Sequence, residues 1–406
     1  VATILANNAL KLILVYQCLK VHQMITRHTL SESGHRQFQG FSWYLLLAHL
    51  CVFGFLDKAN SSDHEQIETY YGVLELNPAQ LPLLSELLNS QPVKRLKHIN
   101  QYGIIQLVDS QGYNNESYTR YDHSLGVLYL LNYFGAPFEE QVSGLLHDIS
   151  HTAFSHVSDY LFTNSSAGNP EYHDSLFRGF LEKHGVALIL KHYGLTPDDI
   201  APENSQFTML ERELPDICAD RLDYILQGSA RRKMLTRAQV DQILKSLHHD
   251  PLTNHWYFSS QASAQLLADA SLELNKNIFV TAWGRVLYQW TTEAINRMVA
   301  INELTLEDIK YHMGDSEVWQ SMLSTGDTKV AALVEKIKSA WYRVYETTDA
   351  SEASTIFENL RCRVVDPRVT VSSGWQRLSA LNPSFKRNYQ AEMERCRRFY
   401  AVIKSP

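Results

Sequence analysis

The chain has 406 residues, 45% hydrophobic and 20% charged, an ordinary globular composition with length for one large domain and a smaller one. Its net charge of −7 argues against a broad nucleic-acid surface, though not against an anionic small molecule in a locally positive pocket. Five cysteines (Cys18, Cys51, Cys218, Cys362, Cys396) include no Cys-x-x-Cys, so neither a disulfide framework nor a thiolate zinc site is expected, and the compartment is read as reduced and cytoplasmic.

Residues 1–64 read as an apolar, basic extension. Residues 1–56 hold Lys11, Lys20, Arg27 and Arg36 against the single acid Glu32, with apolar runs at Leu12–Tyr16 and Trp43–Leu56. The second run spans 14 residues, too short for a comfortable membrane helix. A targeting or anchoring segment, a buried helix, or sequence upstream of a start at Met24 all fit. Any membrane association is expected to run through these residues.

A domain is expected over 65–310. Leu81, Leu83, Leu84, Leu87 and Leu88 recur at helical spacing, and Gln91–Gly103 reads as a second short helix closed by glycine. Ile104–Asp109 reads as a short strand, and Ser110–Ser117 as a loop. Arg120–Tyr133 is a strongly apolar helix, Pro137 opens another to His147, and helix continues through Phe154–Leu161. After a loop at Ser165–Pro170, a helix runs from Tyr172 to His184. Pro215 fits the first turn of a later helix, with Asp216 suiting its positive end. On that helix Asp220 and Tyr224 share a face. Residues 311–406 read as an α+β region with an amphipathic helix at Thr328–Tyr345 and a β-rich Arg361–Val371. The closing basic run, Lys386, Arg387, Arg395, Arg397 and Arg398, reads as a solvated helix face.

The chemistry concentrates at Gly144-Leu-Leu-His147-Asp148-Ile-Ser-His151-Thr-Ala-Phe-Ser-His156. An adjacent His-Asp pair among apolar residues offers one nitrogen and one oxygen to a cation. His123 and Asp220 would complete a mixed set that leaves positions open for water and substrate. Such ligands suit manganese, iron, nickel, cobalt or zinc, and magnesium less readily. Any one of the four residues alone would read as a satisfied core polar group. Arg120, three residues before His123, suits a bidentate phosphate contact or a salt bridge to Asp122 or Asp159. His151, His156 and His173 are the general acid and base candidates, with Asp174 beside His173 to orient it. His147 and His151, four apart, are expected on one helical face.

His123…His147-Asp148…Asp220 resembles the metal signature of HD-domain phosphohydrolases. The strings Arg120-x-x-His-Ser-Leu-Gly, Leu145-Leu-His-Asp-Ile-Ser-His-x-x-Phe-Ser-His and Ala219-Asp-Arg-Leu-Asp-Tyr resemble its deoxynucleoside-triphosphate triphosphohydrolase branch, over roughly residues 65–300. The resemblance implies a mostly α fold, an HD-domain helical core with a small C-terminal α+β appendage. It implies triphosphate release from a dNTP, with Arg120 at the phosphate nearest the sugar and Arg221 on the triphosphate. Tyr224 would wall the nucleotide pocket and Tyr288 stack on the sugar. It also implies a homo-oligomer. Two strings depart from the branch. Its Asp-Tyr-x-x-Arg-Asp becomes Asp223-Tyr-Ile-Leu-Gln227-Gly228, losing a sugar contact. Its Tyr-x-His-Lys becomes Tyr288-Gln-Trp290-Thr291, losing two phosphate-holding groups, with Arg285 or Arg297 as candidates to compensate. The expectation is metal-dependent hydrolysis of a phosphate ester or anhydride in a nucleotide. A phosphatase or phosphodiesterase on another nucleotide, or a nucleotide sensor with little turnover, are the other readings.

Overall fold

Two glycines set how closely the central helices approach. A Cβ on Gly144 would lie 2.3 Å from Leu131 Cδ1, and one on Gly126 would lie 1.9 Å from Asp223 Oδ1. Helix α4 (Arg120–Tyr133) therefore sits tightly against α5 (Phe138–Leu146) on one side and α9 (Ala219–Arg231) on the other. These are the helices that carry the His-Asp chemistry.

The computed structural model describes residues 66–108, 117–162 and 172–404. The expectations for residues 1–64, for Ser165–Pro170 and for all but Ser117 of Ser110–Ser117 lie outside the described residues. Glu65–Pro406 forms one compact unit. A two-stranded ribbon, β1 (Glu68–Thr69) and β2 (Gly72–Val73), leads into α1 (Leu81–Asn89), α2 (Gln91–Arg95) and α3 (Ile104–Val108). Beyond α4 and α5 come α6 (Val157–Phe162), α7 (Tyr172–Lys183) and α8 (Val186–His192), and beyond α9 comes α10 (Arg237–Ser246). The antiparallel strands β3 (Leu247–Asp250) and β4 (His255–Phe258) precede α11 (Gln261–Leu274), a π-helical turn at Asn275–Phe279, and the long α12 (Ala282–Ala300).

Then follow α13 (Leu306–Tyr311), α14 (Asp315–Ser324) and α15 (Thr328–Arg343), which buries Val330, Leu333, Val334 and Ile337. The chain closes with β5 (Val344–Thr347), β6 (Thr355–Glu358), β7 (Arg368–Val371), β8 (Gly374–Arg377), α16 (Leu378–Leu381), α17 (Pro383–Arg397) and β9 (Arg398–Ile403). One sheet runs β3-β4-β7-β8 and the other β5-β9-β6. The β4–β7 pairing is parallel, Tyr257 opposite Arg368, so the first sheet takes strands from both sides of residue 310. A mostly helical core with a smaller C-terminal mixed region is thus the observed architecture. No helix among the described residues is long and apolar enough to cross a membrane.

Several local expectations are corrected. Ile104–Val108 is helix, not strand, because Ile104, Ile105 and Val108 bury one helical face; the β-branched residues there follow packing rather than propensity. The helix from Gln91 ends at Arg95 and passes into a 3-10 turn, Leu96–His98. The helical face expected to join His147 and His151 and the helix expected from Phe154 give way to turns as far as Val157, with Phe154 and Ser155 in the left-handed region at φ 59° and 51°. Pro215 lies before α9 rather than in its first turn, and Asp216 instead pairs with Arg368 and Arg377. Cys362 and Cys396 form a disulfide, Cα–Cα 5.7 Å, where none was expected; the pairing follows from a chain return that sequence spacing does not encode. In the basic run, Arg395 pairs with Glu346 and Glu392, and Arg398 with Glu358.

The left-handed turn at Phe154 is fixed by a buried carboxylate. Asp315 accepts hydrogen bonds from the Phe154 amide (2.7 Å) and the Asn100 amide (3.0 Å). Burial lifts Asp315 to about 6, with those amides opposing the shift. Its folded value thus lies above the unfolded carboxylate value near ~4. Its contribution to stability is complete below that lower value and is lost as pH rises through the folded one, by on the order of 2–3 kcal/mol. Asp315→Asn, which cannot ionise, should therefore gain stability relative to wild type between about pH 4 and 7, beside a constant offset for the amide it no longer accepts. Denaturant unfolding across that range checks this; a difference independent of pH contradicts it.

Candidate metal centre and cleft

His123 lies fully buried on the first turn of α4, which is started by a capping box from Thr119 and Asp122. Its Nδ1 donates to Asp223 Oδ2 at 2.6 Å. His147 caps α5 and its Nδ1 donates to the Gly144 carbonyl at 2.8 Å. Both partners are acceptors, which assigns the proton of each neutral ring to Nδ1 and leaves a lone pair on each Nε2. Those two Nε2 atoms lie 3.2 Å apart. Asp220 Oδ1, from the first turn of α9, is 2.9 Å from the His123 Nε2 and 3.5 Å from the His147 Nε2. Asp148 completes the ring, with an oxygen 3.6 Å from each imidazole.

Two imidazole lone pairs facing each other in a buried site repel unless a proton or a cation lies between them. Burial alone would depress His123, but Asp220 and Asp223 outweigh it and lift the ring to about 10. His147 is raised in the same way, burial being overcome by Asp148 and Asp220. Asp148 stays well below the ordinary carboxylate range: burial opposes ionisation, but Arg120, His147 and His151 favour it more. A positive charge at this point is what the donors ask for. His123, His147 and Asp220 therefore fit a divalent cation with mixed nitrogen and oxygen ligands, and Asp148, 3.6 Å from each imidazole, is placed to be a fourth donor.

Asp223 is the support that sequence reasoning left without a clear role. Besides His123 it accepts from the hydroxyls of Tyr71 (2.8 Å) and Tyr118 (3.0 Å) and from Gln227 Nε2 (2.9 Å). Such partners fix the tautomer and orientation of a metal-binding histidine. Its position three residues after Asp220 was the available signal. Gln227, where the resemblance marks a departure, is fully buried in this support, and its Nε2 also reaches the Asp122 carbonyl.

A cleft of about 450 Å³ opens beside these ligands. His151, His156, His173 and Asp174 all line it. His151 Nε2 is 3.3 Å from Asp148 Oδ1, and its ring stacks on His173 at 3.6 Å between centroids. His147 and His151 are thus brought together by turns, not by one helix. Arg95, buried beneath, donates to the His151 carbonyl at 2.8 Å and holds that turn. Burial, Arg120 and His173 keep His151 well below the usual histidine range, against the pull of Asp148. Its Nδ1 has no hydrogen-bond partner among the described residues. His173 Nε2 is 3.2 Å from Asp174 Oδ1, and His156 Nδ1 is 3.1 Å from Asp159 Oδ2.

Arg120 lines the cleft, paired with Asp148 at 2.5 Å rather than with Asp122 or Asp159, while its Nε donates to Ser155. Tyr224 and Tyr288 also line it, with Tyr102, Tyr160 and Phe279. Arg221, expected at a phosphate, is committed elsewhere: its guanidinium donates to the Arg212 and Asp216 carbonyls and is absent from the lining. Trp290 is also absent from the lining, and Thr291 is buried with its hydroxyl donating to Leu287 O. Arg297 pairs with Asp327 outside the lining, whereas Arg285 is inside it. Arg361 and Arg363, which sequence reasoning missed, line it too.

With this geometry in place, comparison with known proteins is direct. The family model described as HD domain matches residues 120–227, which hold all four proposed ligands. The chain is 26% identical over 316 residues to the protein YdhJ of Bacillus subtilis, covering 78% of this chain and 93% of that one. It is 28% identical over 269 residues to the metal-dependent phosphohydrolase cns2 of Cordyceps militaris, covering 64% of this chain and 73% of that protein. It is 26% identical over 178 residues to the deoxynucleoside triphosphate triphosphohydrolase SAMHD1 of Danio rerio, which spans 38% of this chain and 27% of that enzyme. The buried donor set and the match to the HD domain over residues 120–227 together give the chain a metal-dependent phosphohydrolase site of the HD type.

Proposed function

We propose that the substrate is a nucleotide, and that a dNTP, hydrolysed to deoxynucleoside and triphosphate, is the first class to try. The observation that carries this reading is the aromatic wall beside the metal ligands. Tyr224 follows the ligand Asp220 by one helical turn, Phe279 lies 5.4 Å from it edge-on, and Tyr288 faces Tyr160 at 6.0 Å. A cleft of about 450 Å³ with flat apolar faces and a few polar groups suits a base and sugar. The named activity of SAMHD1 and the motif strings add to it.

A divalent cation held by His123, His147, Asp148 and Asp220 supplies Lewis acidity and charge neutralisation. The remaining work falls to side chains. Arg120, already aligned on Asp148, offers its planar fork to a phosphate oxygen. His151, held neutral beside Asp148, is the candidate to accept the proton of the attacking water. His173, oriented by the largely exposed Asp174, passes that proton on or delivers it to the leaving oxygen, and His156 closes the cleft wall. At Gly228 a Cβ would lie 2.2 Å from the Tyr102 hydroxyl, so the phenol occupies the place of the sugar-contacting carboxylate found in the branch. The absence of Trp290 and Thr291 from the lining favours a second reading, hydrolysis of a nucleotide bearing a single phosphate ester.

Incubation of manganese-loaded protein with the four dNTPs should release deoxynucleoside and tripolyphosphate. Chelation should abolish this, and Asp148→Ala should lower kcat by roughly a thousandfold or more. Nucleoside and orthophosphate from nucleoside monophosphates, with the dNTPs left intact, would select the second reading; bound metal with every nucleotide intact would contradict both. Asp223→Asn leaves all four ligands in place yet should weaken manganese binding about 10- to 100-fold, measured by calorimetric titration. Unchanged affinity would contradict the support role assigned to Asp223.

A further inference from the structure

The cleft has a second charged wall that the metal chemistry does not use. Arg285 comes from the first turn of α12, and Arg361 and Arg363 come from the irregular segment ahead of β7, yet all three line the same cavity. Arg363 lies 5.9 Å from the Phe279 ring and Arg285 lies 6.0 Å from the Tyr288 ring. The carboxylate Glu211 lines the same cavity and groups with Cys218 and Asp220.

The segment is built to hold this position. Cys362, between the two arginines, turns into the core and is joined to Cys396 of α17. The Arg363 amide donates to Asn275 Oδ1 at 2.8 Å, and Asn275 Nδ2 in turn donates to Glu392 Oε1 at 2.6 Å. The Val365 amide donates to Ser271 Oγ. Alternation does the rest: neighbours two apart in an extended chain face one way, so Arg361 and Arg363 reach the cleft while Cys362 anchors the backbone. On the α12 side, Arg285 is braced by donating to the Phe279 carbonyl at 2.9 Å. Anchored guanidiniums lose little entropy on binding an anion, and each has several N–H donors, so engagement with protein neighbours does not exhaust them.

We propose that Arg285, Arg361 and Arg363 form a phosphate subsite separate from the metal, which holds a phosphate group of the substrate other than the one attacked. The proposal rests on the nucleotide hydrolase reading and narrows it, because a substrate that fills both places carries at least two phosphates in a chain. It also supplies the anion-holding charge that Trp290 and Thr291 do not, from Arg285 of the same helix and from Arg361 and Arg363 of the C-terminal region.

The test is calorimetric titration of manganese-loaded protein, with manganese in excess over ligand, using inorganic tripolyphosphate and orthophosphate as probes. Tripolyphosphate should bind wild type at least about tenfold more tightly than orthophosphate, since each charge-assisted contact contributes roughly that factor. The Arg361→Gln/Arg363→Gln double variant should lose the preference while keeping its manganese content, and Arg363→Lys should recover part of it. Should the double variant fail to fold, Arg285→Gln, on a separate helix, decides in the same way. Equal binding of tripolyphosphate by wild type and variants, or no preference in wild type, overturns the subsite. Neither result depends on turnover: a protein that shows arginine-dependent tripolyphosphate binding but hydrolyses no nucleotide would retain the subsite and refute the hydrolase reading.

Discussion

The site depends on the hydrogen bond from His123 Nδ1 to Asp223, 2.6 Å long and wholly buried. It fixes the proton on the side away from the cleft and so aims a lone pair at the lone pair of His147. Everything nearby either enforces or relieves that confrontation. Tyr71, Tyr118 and Gln227 hold Asp223 from behind, Gly126 gives it room, and Asp148 and Asp220 surround the meeting point with negative charge. A buried arrangement of this kind is costly without a cation and stable with one, which is the physical content of calling it a metal centre.

The surrounding fold serves the same end through contacts distant in sequence. The His-rich turn cannot be helix, because Phe154 and Ser155 adopt left-handed backbone angles. It is held by Asp315 from α14 on one side and by Arg95 from α2 on the other. The C-terminal region also supplies part of the cleft wall through Arg361 and Arg363. Metal ligation and the far wall therefore draw on different parts of the chain, and either can vary with less consequence for the other.

What was legible in the sequence was what lies close along the chain or follows helical spacing. His147 and Asp148 are adjacent, Tyr224 follows Asp220 by one turn, and the ordered strings bring in His123. The mostly helical class followed from the family resemblance, and the helical spacing of individual segments agreed with it. The shared helical face of His147 and His151 and the helix start at Phe154 were misread because Ile149, Ala153 and Phe154 continue an apolar pattern that a compact turn can bury equally well. Ile104–Val108 was misread because β-branched residues weigh toward strand. Arg221 carried a family expectation, but its guanidinium is satisfied by main-chain carbonyls. Arg361, Arg363 and the Cys362–Cys396 pair depend on a chain return across more than the length of a helix hairpin, and no local signal announces it.

The most direct measurement is X-ray absorption spectroscopy at the metal edge of manganese-loaded protein, repeated on Asp220→Ala. A shell of imidazole nitrogen and carboxylate or water oxygen, altered or lost in the variant, is the predicted result. Sulfur scattering, which would direct the metal to Cys362 and Cys396, or an all-oxygen shell unchanged by the substitution, would contradict the account.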